Sequence, residues 1–248
     1  MPKFFVPKEN IHNDKIHITG GDVSHISRVL RMGENDYLCL CDGMGNNYDA
    51  VIESITSDNI VCKITDVKRA ETEAQISVTI FQGIPKGSKM EYIIQKTTEL
   101  GVVNIIPCKM SRCVSKIESD KDAVKKQQRW QKIAEEAAKQ SGRGIIPTVG
   151  MPVNFDEAIR QMKEFDLAFA PYECEEQNKL KDVLLTRGNV KTVAFMIGPE
   201  GGYDVSETEE LKNQGIKTIT LGKRILRTET AGEAVLAMVM YEIGDINK

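Results

Sequence analysis

The sequence predicts an α/β protein: a small β-rich module, then a mostly parallel sheet with helices on both faces. Three observations predict it. Residues 36–70 hold three short strand-like runs, "DYLCLCD", "NYDAVIESI" and "NIVCKITDVKRA", split by the turn clusters "GMGNN" and "TSDN". From Ile76 onward, strand-like and helix-like segments alternate. Three loops of unusual composition, "APYE" (170–173), "IGPEGGYD" (197–204) and "LGKRILRTETA" (221–231), each follow an expected strand directly.

The elements follow in order. In "DVSHISRVLRMGEND", Ile26, Val29 and Leu30 recur at helical spacing, with Asp22 or Ser24 as the cap of a short helix. The strands after it, with their tight turns, point to a small barrel or sandwich. The module ends near residue 72, in the polar linker "RAETEAQ". "ISVTIFQG" then reads as strand and "GSKMEYIIQKTTELG" as helix, stopped by Gly101. "VVNIIPC" is a strand, "DKDAVKKQQRWQKIAEEAAKQSG" a helix ended by Gly142, and "IIPTVG" a short strand. "NFDEAIRQMKEF" is a helix capped by Asn154, and "DLAFAPYE" a strand. A helix over "NKLKDVLLTRG", the strand "VKTVAFMIG" and a helix in "SETEELKNQG" follow, with Ser206 and Glu209 at capping-box spacing. "IKTITLG" is the last strand. The final helix begins at Ala231, with Thr230 and Glu233 again at capping-box spacing.

Composition bounds the function. At 248 residues, 41% hydrophobic and 28% charged, the chain reads as an ordinary globular protein of one large domain or two small ones. No apolar run approaches the roughly 18 residues needed to span a bilayer. The N-terminus lacks a signal-peptide hydrophobic region, so the expected compartment is the cytoplasm. Six cysteines show no C-x-x-C pair and read as reduced, mostly buried thiols. His12, His17 and His25 do not form a ligand pattern, so no metal is expected.

The net charge of −3 argues weakly against a polyanionic partner, but the distribution is uneven. Between Lys109 and Arg143, ten basic residues face five acidic ones, and the segment after it is acidic. Charge alone leaves two readings open: a face that holds a polyanion, or a solvated helix face.

In α/β sheets of this kind, ligands bind beyond the C-terminal ends of the strands. All three unusual loops belong there. In "IGPEGGYD", Pro199 and Gly201 fit the second and fourth positions of a type I turn, and glycines let a backbone approach a ligand closely. Neither a P-loop nor a Rossmann fingerprint is present, which disfavours a nucleotide-phosphate role. A cradle for a flat heterocycle fits better. The last helix, "AVLAMVMYEI", is apolar nearly all round and needs cover on both sides, which predicts a two-fold homodimer.

"MIGPEGGYDVSETEE" and "LGKRILRTETAGEAVL" resemble the ribosomal RNA small subunit methyltransferase E family, within the SPOUT class. "DVSHISRVLRMG", "KGSKMEYIIQKTTELGV", "SRCVSK" and "RWQKIAEEAAKQSGR" are similar as well, so the resemblance covers effectively the whole chain. Tyr203 stands where the family often has Phe. The resemblance implies a PUA-like, RNA-binding β-barrel over 1–72 and a trefoil-knotted methyltransferase domain over 73–248. It also implies a homodimer that binds S-adenosylmethionine in the knot and methylates N3 of one uridine, uracil 1498, in 16S ribosomal RNA.

Roles follow from the resemblance. The cofactor falls to Ile197, Gly198, Glu200, Gly201 and Gly202 of one loop, to Leu221, Gly222, Ile225, Leu226, Thr230 and Ala231 of another, and to Ala170 and Pro171 of the first. Leu221, Ile225 and Leu226 would sandwich the adenine. Uridine N3 carries a proton, so the chemistry needs a base and a charge for the resulting anion. Arg227 is the candidate for the charge, and Glu200 or Glu229 for the proton; for Glu229 a salt bridge or cap near the start of the last helix is the reading slightly preferred over catalysis. Arg224 could hold a phosphate or cross the dimer interface. Arg28, Arg31, Lys86, Lys89, Arg112, Lys116 and Arg143 are the candidates for RNA phosphates, and with them the basic segment reads as a polyanion face. Two other readings remain: a SPOUT ribose 2′-O-methyltransferase, and an RNA-binding protein with an inactive cofactor pocket.

Overall fold

Alternating apolar and polar residues build the first sheet. The computed structural model of the chain describes residues 3–185 and 190–246. Six strands, β1 (Lys3–Phe5), β2 (Ile11–His12), β3 (Lys15–Thr19), β4 (Tyr37–Cys41), β5 (Asn46–Ile55) and β6 (Asn59–Arg69), pair in the order β1-β4-β5-β6-β3-β2. All neighbours are antiparallel except β1 and β4. Period-two alternation sends Leu38, Leu40, Ala50, Ile52, Ile60 and Cys62 into one core with Phe4, Ile16, Ile18 and Ile26. The helix expected after residue 22 starts earlier, as α1 (Gly21–Ser24), and continues into a π-helical turn, His25–Val29. Its cap is Gly20, at φ 73°, and neither Asp22 nor Ser24 caps it.

The chain divides into two compact units: Met1–Glu73 with Ala138–Ile146, and Ala74–Ala137 with Pro147–Lys248. The excursion at 138–146 has a clear physical cause. The Arg143 guanidinium pairs with Glu73 at 2.7 Å, and Glu73 also accepts the backbone N–H groups of Gly144 and Ile145. Gly45 N–H donates to Gly144 O, Ile146 N–H to Gly43 O, and Lys3 Nζ to Gly142 O. Backbone groups that would otherwise be orphaned are satisfied by Glu73, by the turn between β4 and β5 and by Lys3 of β1.

The second unit carries seven parallel strands: β7 (Ser77–Gly83), β8 (Asn104–Lys109), β9 (Thr148–Val149), β10 (Val153–Asn154), β11 (Leu167–Pro171), β12 (Thr192–Ile197) and β13 (Lys217–Ile219). Their order is β10-β8-β7-β12-β11-β13, with β9 also on β8. The helices are α2 (Lys89–Glu99), α3 (Asp120–Ser141), α4 (Phe155–Met162), α5 (Leu180–Leu185), α6 (Val205–Asn213) and α7 (Thr228–Glu242). Of the helix expected over 178–188, Asn178 and Lys179 are not helical, Lys179 forming an isolated parallel bridge with Thr220, and 186–188 lie outside the described residues.

Both sheet faces are covered, which explains why the strands read as near-continuous apolar runs. One face packs Val78, Ile80, Phe195 and Ile197 against residues of α2, α3, α5 and α7. The other packs Phe81, Ala194 and Met196 against Ala158, Ile159 and Met162 of α4 and Leu211 of α6. Asn154 caps α4 as expected, accepting from Glu157 N–H at 2.8 Å. The chain leaves β13 at the sheet edge and returns to the centre, where α7 lies against β7 and β12. That return brings the loop after β13 alongside the loop after β12.

Candidate functional site

The C-terminal ends of β11, β12 and β13 open into a cavity of about 430 Å³. Pro171, Tyr172 and Glu173 line it from the first loop, Ile197 to Tyr203 from the second, and Leu221, Gly222, Arg224 to Thr228 and Ala231 from the third. Lys89, at the start of α2, closes it. The reversal of strand order between β7 and β12 places the cavity where a doubly wound sheet offers a crevice.

The glycine loop is shaped by close backbone packing. Gly202 N–H donates to Pro199 O at 2.9 Å, so the turn spans 199–202, one residue later than the sequence spacing indicates. Gly202 has φ +67°, and a Cβ there would stand 2.8 Å from Glu173 Oε1. A Cβ on Gly198 would meet Gly202 C at 3.1 Å. Arg112 braces the loop from outside, its Nη1 donating to Gly201 O at 3.0 Å and its Nη2 lying 3.5 Å from Asp204. The capping box of α6 is Asp204 with Glu207, not Ser206 with Glu209; the buried Glu207 carboxylate also accepts from Ser111 N–H at 2.8 Å.

Charge at the mouth is organised by Lys89. Its Nζ lies 3.1 Å from Glu200 Oε1 and 3.4 Å from Glu229 Oε2. The Glu200 hydrogen bond and charge, with Glu229 behind them, hold the Lys89 ammonium above its ordinary pKa. Burial alone would raise Glu200. Hydrogen bonds from its own backbone, from Lys89 and from Lys86 N–H outweigh that and keep its carboxyl below its ordinary value. Among the described residues, neither Arg224 nor Arg227 pairs with a carboxylate, and both face the cavity.

Most of the residues named from the sequence converge here. Pro171, Ile197, Gly198, Glu200, Gly201, Gly202, Leu221, Gly222, Ile225, Leu226, Arg227 and Ala231 all line the cavity. Ala170 is fully buried in β11 just beneath it, and Thr230 is exposed on α7 outside it. Ile225 stands 87% exposed on the rim. Glu229 lies behind Lys89 and does not line the cavity. The final helix starts at Thr228 with Arg227 as its N-cap, three residues before the expected Ala231, and no Thr230–Glu233 box caps it.

The RNA candidates separate. Arg28, Arg31, Lys86 and Lys116 are exposed. Lys89 and Arg112 are engaged with Glu200 and the glycine loop. Arg143 is 3% exposed and paired with Glu73, so its charge serves the first unit internally and it leaves the group of phosphate-contact candidates. Sequence reasoning missed Tyr172, Glu173 and Gln82. Tyr172 and Glu173 follow a strand end within a quoted loop, so their position was a usable signal.

Comparisons with known proteins agree with this geometry. Residues 72–240 match the family of the RNA methyltransferase domain, and residues 18–65 the RNA methyltransferase PUA domain. The chain is 39% identical over 98% of its length, and 97% of the relative, to ribosomal RNA small subunit methyltransferase E of Bacillus subtilis (strain 168). It is 31% identical to the protein of that name from Mesomycoplasma hyopneumoniae (strain 232), covering 93% of this chain and 95% of the other. A crystal structure of ribosomal RNA small subunit methyltransferase E from Neisseria gonorrhoeae bound to S-adenosyl methionine superimposes with a TM-score of 0.86, at 32% identity over 99% of each chain. The two family models and a 39% identity that spans nearly the whole chain thus point one way: the chain belongs to the ribosomal RNA small subunit methyltransferase E family.

Proposed function

We propose that the protein transfers a methyl group from S-adenosylmethionine to N3 of a single uridine, uracil 1498, in 16S ribosomal RNA, acting as a homodimer in the cytoplasm. The observation that carries the reading is the cavity after β11, β12 and β13, in a chain whose relative of 32% identity is solved with that cofactor bound. The residues present fit the cofactor. Ile197, Leu221, Leu226 and Ala231 offer apolar wall for a heterocycle, and the Glu173 and Glu200 carboxylates suit a cationic ligand. Gly222, at φ +93°, has open space where a Cβ would stand, as a backbone in close contact with a ligand requires.

The cofactor supplies an activated methyl group on a sulfonium. The protein's share is alignment and charge. Arg227, free of any carboxylate partner among the described residues and fixed at the N-cap of α7, stabilises negative charge on the uracil ring. Glu200 lines the cavity as an ionised carboxylate and accepts the N3 proton, directly or through one water. Glu229 sits behind Lys89 and sets the position of that ammonium, and through it Glu200. Arg28, Arg31, Lys86 and Lys116 meet RNA phosphates. The α7 surface that carries Met238 and Tyr241, 40% and 57% exposed, meets a second copy of the chain.

Mass mapping of 16S RNA from cells lacking the protein tests the proposal. Loss of one N3-methyluridine supports it; persistence of that mark, or loss of a ribose methyl instead, contradicts it.

A further inference from the structure

One buried side chain joins the parts of this site, and neither spacing nor charge marks it. Gln82 lies on β7, the strand between β8 and β12, and is fully buried. Its Nε2 donates to Thr228 Oγ1 at 2.9 Å and to Gly83 O at 3.0 Å. Thr228 Oγ1 in turn donates to Gly198 O at 2.7 Å. The relay has a fixed direction. Both amide protons and the single hydroxyl proton are used, so each donor has one destination.

The three acceptors belong to the end of β7, the loop after β12 and the start of α7. Gly198 lines the cavity, and Thr228 follows Arg227 directly. Backbone packing is tight at the same point: a Cβ on Gly83 would stand 2.6 Å from Pro199 N. The N-cap itself is Arg227, whose side chain cannot accept a hydrogen bond, and no side chain caps α7.

Core packing alone does not call for an amide here. Gln82 Oε1 is buried without a hydrogen-bond partner, on the side facing Gly232 of α7. An orphaned acceptor is costly, and a leucine of similar size would avoid it. The amide is retained for what its two protons hold.

We infer that Gln82 is a positioning residue: acting through Thr228, it fixes the Gly198 carbonyl and the approach of Arg227, and so sets cofactor affinity and turnover rather than stability. The inference rests on the proposed S-adenosylmethionine site.

The test compares Gln82→Leu, Thr228→Val and Thr228→Ser with the full-length wild-type protein. Cofactor affinity is read by calorimetry with S-adenosylmethionine alone, turnover with small ribosomal subunits, and stability by thermal unfolding. The expected result is a melting temperature no lower in Gln82→Leu, with cofactor affinity weakened about tenfold, the size of one or two neutral hydrogen bonds. The same fall in kcat should accompany it. Thr228→Val repeats the loss, Thr228→Ser recovers most of it, and the double variant Gln82→Leu/Thr228→Val is no worse than either single one. Wild-type affinity and kcat in Gln82→Leu, or no recovery in Thr228→Ser, would overturn the inference. If Gln82→Leu does not fold, the Thr228 pair decides by the same criteria. A wild-type protein that binds no S-adenosylmethionine would instead sink the functional proposal itself.

Discussion

The Lys89 ammonium lies 3.1 Å from the Glu200 carboxylate, at the mouth of the cavity, and takes Glu229 as its second partner at 3.4 Å. One cation thus holds two acids, of which only Glu200 lines the cavity. Replacing Lys89 by Met removes the charge that helps keep Glu200 below its ordinary pKa, and leaves Glu229 without that partner. We predict a fall of about tenfold in kcat/KM, with the lower limb of the pH–rate profile moved to higher pH. An unshifted limb in Lys89→Met would show that Lys89 does not tune Glu200.

Arg227 separates chemistry from cofactor binding. Its role is to meet charge that develops on the acceptor base, not to hold the cofactor. Arg227→Ala should lower kcat by about 10²–10³-fold, the usual effect of removing one preorganised charge-stabilising donor. Calorimetric affinity for S-adenosylmethionine should change less than about threefold. Parallel losses in both would move Arg227 into the cofactor contacts.

Glu175 ties the loop after β11 to β13. The Thr218 hydroxyl, 2.6 Å away, and the N–H groups of Gln177 and Asn178 stabilise its charged form, which lowers its pKa to about 2 despite partial burial. In the unfolded chain a glutamate titrates near about 4.3. The stabilisation is therefore complete above roughly pH 4.3 and disappears as pH falls towards about 2. Melting temperatures of the wild type and Glu175→Gln should differ at pH 7 and converge in that acidic window. A constant difference across it would contradict the assignment.

Arg143 and the Arg28–Arg31 pair should behave oppositely. Arg143→Ala leaves the Glu73 carboxylate, 12% exposed, without its partner, and should cost about 3–5 kcal/mol of stability in the first unit. Arg28→Ala with Arg31→Ala should leave the melting temperature within a few degrees and weaken RNA binding. The slope of log affinity against log salt should also fall, by about one to two. Unfolding and filter-binding measurements over a salt series distinguish the two classes.

The sequence made the second unit legible because its strands are buried on both faces and its helices are amphipathic. "ISVTIFQG" and "VKTVAFMIG" mark β7 and β12 almost to the residue, while Asn154 and Gly101 mark helix ends through local backbone chemistry. Long-range partners were not legible. Arg143 sits in a basic stretch and reads as surface, yet Glu73, 70 residues away, takes its charge. Ser206 and Glu209 satisfy the capping pattern as well as Asp204 and Glu207 do, and tertiary contacts distinguish them: Ser111 N–H donates to Glu207 and Arg112 lies beside Asp204. Thr230 and Glu233 fit the pattern too, but α7 starts at Thr228, whose hydroxyl is bonded to Gly198 O. Gln82 carries no mark at all, since its two partners come from 1 and 146 residues away.

The most direct measurement of the central claim uses purified protein, small ribosomal subunits from cells that lack it, and S-adenosylmethionine with a deuterated methyl group. Nucleoside mass spectrometry of the 16S RNA then locates the label. The account predicts about one labelled methyl per subunit, on uracil N3, formed about 10²–10³-fold more slowly in Arg227→Ala. Label on a ribose 2′-oxygen, or no label in subunits that bind the protein, would contradict it.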